Sequence, residues 1–147
     1  MIAGFKDRFV PFVKEGSKTH TIRDGSRWRV GKRLDAFQNV RQKSMRLILR
    51  APVVKVERIE IFEYERVPFD LGGNHVRGAH RGPNGEALLV RINGEWLAAD
   101  EAEALFRRDG FRDPSMMASY EALMFWKQRL PFSGQIIHWD FRQAVFE

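Results

Sequence analysis

The chain contains no cysteine. That absence excludes disulfides, thiolate nucleophiles, Cys-ligated zinc and iron–sulfur clusters. No apolar run approaches the ~20 residues that a membrane-spanning helix needs. The first ten residues, Met1–Val10, hold no apolar stretch of the kind a secretion signal carries. The expected location is therefore cytoplasmic, with no membrane partner. No G-x-G-x-x-G, Walker A or G-x-S-x-G pattern occurs, so the usual dinucleotide, P-loop and α/β-hydrolase motifs are missing. Histidine is sparse. Of His20, His75, His80 and His138, the pair His75 and His80 sits in a Gly-rich stretch with no paired carboxylates at ligand spacing and His138 reads as a structural mid-strand residue, so no metal site and no cofactor are expected. Internal repeats and low-complexity tracts are absent as well.

What is present suits one small globular unit spanning 1–147. The 147 residues are 44% hydrophobic and 12% aromatic, enough for a single core and too aromatic for a disordered chain. The net charge is +6 and unevenly spread. Residues 1–50 hold 13 Lys and Arg against 4 Asp and Glu, whereas residues 51–147 hold 12 against 15. A basic third on a mildly acidic remainder predicts one positive face, and the natural partner of such a face is a polyanion, nucleic acid first. Ordinary solvated charge is the alternative.

Periodicity predicts an α+β chain. Residues 2–5 read as a strand and Arg8–Glu15 as a short helix closed by Gly16. Lys18–Arg23 is β-rich, and alternation sets Lys18, His20 and Ile22 against Thr19, Thr21 and Arg23, with Lys18 at the margin. A strand is expected over Leu34–Val40. A long one follows over Arg46–Phe62, with a change of phase near Arg58 that predicts a bulge or bend. Residues 63–86, rich in Gly and Pro, predict a mobile insertion loop. Asn93-Gly94 between two β-like arms predicts a type I′ hairpin. Asp100 with Glu103 predicts the start of a helix ending at Gly110. Asp113-Pro114 predicts the start of another that runs to about Arg129, with Met116, Met117, Tyr120, Leu123, Met124 and Phe125 as its packed set. A last strand is expected over Gln135–Phe141. The total is about six strands with flanking helices, in an order unlike a doubly wound sheet.

One segment gathers chemistry. Gly16-Ser17-Lys18-Thr19-His20-Thr21-Ile22-Arg23 offers an ammonium, a guanidinium, hydroxyls, an imidazole and backbone amides within eight residues. Such a cluster can bind a phosphate or a base edge. An exposed basic strand is the other way to read it. Ser17, Lys18, His20, Arg23, Arg27, Arg29 and Arg41 are the candidate ligand contacts, with Lys32 as a further phosphate contact. Trp28 or Phe37 is the candidate for stacking on a base, unless it belongs to the core.

Gly16-x-Lys18-x-x-Thr21-x-Arg23 resembles the signature of ASCH domains, relatives of the PUA RNA-binding fold. Gly31–Leu34, Asp109-Gly110-Phe111, and Phe132-Ser133-Gly134 before an Ile-x-Trp strand are similar to later family segments, in the same order. The resemblance implies a PUA-like β-barrel with flanking helices and a cleft for RNA or a nucleotide. Some similar bacterial members hydrolyse the acetyl group of N4-acetylcytidine with a Lys, a Thr and a later acid. Lys18 and Thr21 match the first two, and Asp109 stands where the family has Glu. Other members are ribonucleases. The expectation placed first is a binding domain, which needs only a basic cleft. An amidohydrolase built on Lys18, Thr21 and Asp109 also needs those side chains to converge.

Overall fold

The computed structural model describes residues 1–63 and 87–146. Apart from Glu63, the loop expected over 63–86 lies outside the described residues. Among these the chain is α+β, with one mixed, open sheet of eight strands and three α-helices. The strands are β1 (Ile2–Phe5), β2 (His20–Asp24), β3 (Arg33–Gln38), β4 (Arg46–Glu63), β5 (Leu88–Ile92), β6 (Glu95–Trp96), β7 (Phe132–Trp139) and β8 (Val145–Phe146). The helices are α1 (Val10–Glu15), α2 (Ala99–Asp109) and α3 (Ala118–Trp126). The sheet exceeds the expected six or so strands because it counts β6, the short second arm of the hairpin, and β8, a two-residue piece too short to show a period. No described helix is long and apolar enough to cross a membrane.

The spine of the sheet is β4. Its first half pairs with β3, and its second half with β7 on one edge and β5 on the other. Two residues fall out of register along it. Ile48 is skipped between Ala36↔Leu49 and Phe37↔Leu47, and Val54 is skipped between Val53↔Trp139 and Lys55↔His138. Each extra residue adds local twist and bends the strand. The bend expected near Arg58 therefore lies four residues earlier, where Val54 and Lys55 both face solvent.

The bent sheet curls in the order β2-β7-β4-β3-β1 without closing. No backbone ladder joins β1 to β2 among the described residues, so the closed barrel implied by the resemblance is not what the strand pairing gives. A side chain spans the seam instead, because Arg23 Nη2 donates to the Gly4 carbonyl at 2.6 Å. Inside the curl sit Leu34, Leu49, Val53, Ile59 and Ile61. Both Ile136 and Ile137 are fully buried, so β7 is covered on both faces. The hairpin forms as expected, with Asn93 at φ 50° and Gly94 at φ 83° linking β5 to β6.

Two helix starts differ from expectation. Helix α2 begins a little earlier, and Glu101 reaches back to the Ala98 amide at 2.9 Å. Glu103 does not cap its own helix but the next one, accepting from the Ala118 and Ser119 amides at 2.8 Å each. Asp113 accepts from the Ser115 amide in a local turn, and α3 begins only at Ala118. The later start rotates the buried face to Ala118, Ala122, Leu123 and Trp126, leaving Met117 and Met124 exposed. Helix α2 ends at Gly110, and Glu103 ties α2 to α3 at one side of the curl.

Candidate functional site

The turn after α1 aims the first functional side chain. Gly16 takes φ 84°, a left-handed conformation that costs a side-chain-free residue little. The Lys18 amide then donates to the Phe12 carbonyl at 3.0 Å, and the Thr19 carbonyl accepts from the Trp139 amide at 3.0 Å. Lys18 thus precedes the regular strand and escapes its alternation. Its side chain and that of Thr21, on β2, both line one cavity of about 190 Å³. Asp109, the last residue of α2, lines it as well.

Lys18, His20, Thr21 and Asp109 are all buried. Lys18 Nζ donates to Asp109 Oδ1 and to the Asp109 carbonyl oxygen, each at 2.6 Å. The second bond satisfies a carbonyl at the negative end of α2. His20 Nε2 lies 3.2 Å from the same carboxylate oxygen, at an angle that leaves it without a proper hydrogen bond. Behind it, the His138 ring centre is 5.6 Å from that of His20, and His138 Nε2 is 2.7 Å from Glu57 Oε1. Thr21 Oγ1 accepts from Arg23 Nε at 3.1 Å. Lys18 and Thr21 share the cavity, but no hydrogen bond joins their side chains among the described residues.

Burial sets the electrostatics. It pushes the Lys18 ammonium below its usual 10.5; Asp109 opposes that shift, and Arg23 and Arg112 add to it. Burial alone would raise the Asp109 carboxyl, but Lys18 and His20 outweigh it and hold the group far below the ordinary carboxylate range. Desolvation also lowers Arg23, with Asp109 and Asp24 acting the other way.

The rest of the wall is aromatic. Phe5, Phe9, Phe125 and Trp126 line the cavity, and the Lys18 ammonium lies 5.3 Å from the Phe9 ring centre and 6.0 Å from that of Phe5. At its edge, Lys6 lies over Phe125 and Arg129 over Phe125 and Trp126. Helical spacing alone marks Phe125 as packing, and only the meeting of β1, the 3-10 turn Asp7–Phe9 before α1, and α3 turns these rings toward a cavity. Sequence reasoning therefore missed them, although the clustering of Phe5, Phe9 and Phe12 near the basic motif was a signal.

The remaining candidates scatter. Ser17 is exposed, held by Arg112 through its hydroxyl at 2.8 Å and its carbonyl at 3.1 Å, and it does not line the cavity. Trp28 is 1% exposed, so no face is open to a base; Gln135 clamps its backbone at 3.0 and 3.1 Å. Phe37 is half-buried on β3. Arg29 and Lys32 are exposed and line no part of this cavity. Arg27 and Arg41 line a neighbouring groove with Arg23. No group of three or more metal-ligating side chains occurs among the described residues. Comparison of the chain with models of known families, with curated proteins and with solved structures gives no match.

Proposed function

We propose that the chain is an ASCH-type, PUA-like domain that hydrolyses the amide of an acylated nucleoside. N4-acetylcytidine is the substrate that the motif resemblance nominates. The observation that carries the reading is the convergence of Lys18, Thr21 and Asp109 on one small, aromatic-walled cavity. A curled sheet whose β1 and β2 edges face each other across Arg23 also suits a PUA-like core.

The chemistry follows from the environment of each group. Threonine is a weak nucleophile until a base takes its proton. Lys18, lowered by burial, is that base in its neutral form. Thr21 Oγ1 forms the bond to the acyl carbon as its proton passes to Lys18 Nζ. The carbonyl electron pair moves to oxygen, and the Arg23 guanidinium beside Thr21 stabilises that charge. Collapse breaks the carbon–nitrogen bond, and Lys18 returns the proton to the departing amine. Water then hydrolyses the Thr21 ester, releasing the acid and restoring the hydroxyl. Asp109 holds Lys18 at the end of α2 throughout.

One observation favours binding without turnover. The Lys18 ammonium directs two of its three N–H donors to Asp109, and Thr21 accepts from Arg23. The same cavity would then hold a nucleoside unchanged. Incubation with N4-acetylcytidine decides between the two. Release of cytidine by the wild type, lost in Thr21→Ala, supports hydrolysis; binding with no cytidine released contradicts it.

A further inference from the structure

Beside the cavity runs a second, larger groove of about 610 Å³, sharing Gly4 and Arg23 with it across the β1–β2 seam. Its charged side chains are Arg23, Arg27 and Arg41, and no carboxylate lines it. Elsewhere the arginines are largely matched. Arg8 pairs with Glu121, Arg91 with Glu60, Arg107 with Glu103 and Arg142 with Asp140. Arg27 and Arg41 are exposed and make no ion pair or hydrogen bond through their side chains among the described residues. Arg41 is also held at φ 66°, an uncommon conformation for a residue with a side chain. At the cavity edge Lys6 and Arg129 lie over aromatic faces, whereas the groove brings Arg27 and Arg41 together beside Arg23 with no carboxylate in its lining.

We propose that this groove is an anion subsite of the proposed hydrolase, and that its substrate class is a nucleoside carrying a 5′-phosphate. The inference rests on the proposed function for the orientation of the base. With the acylated base in the cavity at Thr21, the rest of the nucleotide leaves across the Gly4–Arg23 seam. The planar donors of Arg27 and Arg41 then meet the phosphate oxygens. The apolar side chains of Ile2, Val40 and Met45 give the sugar its floor.

The test compares calorimetric binding of cytidine 5′-monophosphate and cytidine to the wild type and to Arg27→Gln/Arg41→Gln. Exposed arginines carry no core packing, so the variant folds. In the wild type the phosphate tightens binding by about tenfold or more at low salt, the scale of a hydrogen bond to a charged group. In the variant that ratio falls towards one. Equal binding of the two ligands by wild type, or an undiminished ratio in the variant, overturns the subsite. A dinucleotide with a 5′-linked phosphodiester, run alongside, separates a polynucleotide source of the phosphate from a mononucleotide. The two proposals fail separately. Phosphate preference without acyl release contradicts hydrolysis alone, whereas cytidine release without phosphate preference contradicts the subsite alone.

Discussion

Lys18 and Asp109, 91 residues apart in sequence, form an ion pair of 2.6 Å with side chains only 3% and 8% exposed. The pair joins the entry of β2 to the end of α2 and fixes both at the cavity wall. Breaking a buried pair from one side leaves an uncompensated charge, which costs about 3–5 kcal/mol. Asp109→Ala is therefore expected to lower the denaturant midpoint strongly, and Lys18→Met/Asp109→Leu to lower it less than Asp109→Ala alone. Equilibrium unfolding of the three proteins checks the order.

The same contact bears on the length of the acidic side chain. Asp109 is one methylene shorter than a Glu, yet it already meets Lys18 at 2.6 Å while buried. A side chain one methylene longer would drive its carboxylate into Lys18 Nζ, already met at 2.6 Å, or force it off that contact, and overpacking of this kind typically costs about 1–3 kcal/mol. Asp109→Glu is expected to reduce both stability and turnover. Higher turnover in this variant would show that reach limits the wild type.

Several elements were legible before any coordinates, and for physical reasons. Gly16, Asn93-Gly94 and Gly110 mark turns through backbone conformations that few residues adopt, so the end of α1, the hairpin and the end of α2 fall where expected, while α1 starts at Val10 after a 3-10 turn over Asp7–Phe9. Lys18, Thr21 and Asp109 were nameable because segments that resemble a known family carry them. Hydrogen bonds between distant segments were not legible. Glu103 reads as a cap for its own helix but serves the next one, and Trp28 reads as a stacking ring but is clamped inward by Gln135. Strand alternation also misleads at Lys18, because the turn bonds of α1 set its direction before β2 begins.

Turnover should depend on the protonation of Lys18. Its folded-state pKa lies below the usual 10.5, and the base must be neutral. The rate is expected to climb with pH through that lowered value, with the limb ending below 10.5. Stability follows the same sign. Between the lowered value and 10.5 the unfolded chain binds the proton more tightly, so this group's contribution to stability rises with pH there. Asp109 acts at the other end. Its pKa is held far below 3.8, so the stability it provides is present above 3.8 and is lost as pH falls below it. A pH–rate profile and acid unfolding curves measure both effects, and a profile flat up to pH 10.5 contradicts the role of Lys18.

Arg23 has two tasks at one seam, donating to Thr21 Oγ1 and to the Gly4 carbonyl. Removal of a preorganised donor at a developing oxyanion typically costs about 10²–10³ in kcat. Arg23→Ala is expected to lose that much, with Arg23→Lys recovering only part because a single ammonium cannot span both acceptors. Steady-state rates of cytidine release compare the two.

Gly134 guards the position of β2, which carries Thr21. It sits opposite Asp24 on β7, and a methyl there would overlap the backbone carbonyl oxygen of Arg23. Backbone cannot swing aside as a side chain can, so Gly134→Ala is expected to destabilise by at least the ~1–3 kcal/mol typical of overpacking. Displacement of β2 should lower kcat as well. Thermal unfolding with parallel rate measurements checks this.

The central claim is that Lys18 and Thr21 work as one catalytic unit. It is tested most directly by the rate of cytidine release from N4-acetylcytidine in wild type, Lys18→Ala, Thr21→Ala and the double variant. Groups that act as a unit give strongly non-additive losses. The account predicts that each single change abolishes most of the acceleration and that the double variant is no slower than the slower single one. Retained turnover in Thr21→Ala, or losses that multiply in the double variant, would contradict it.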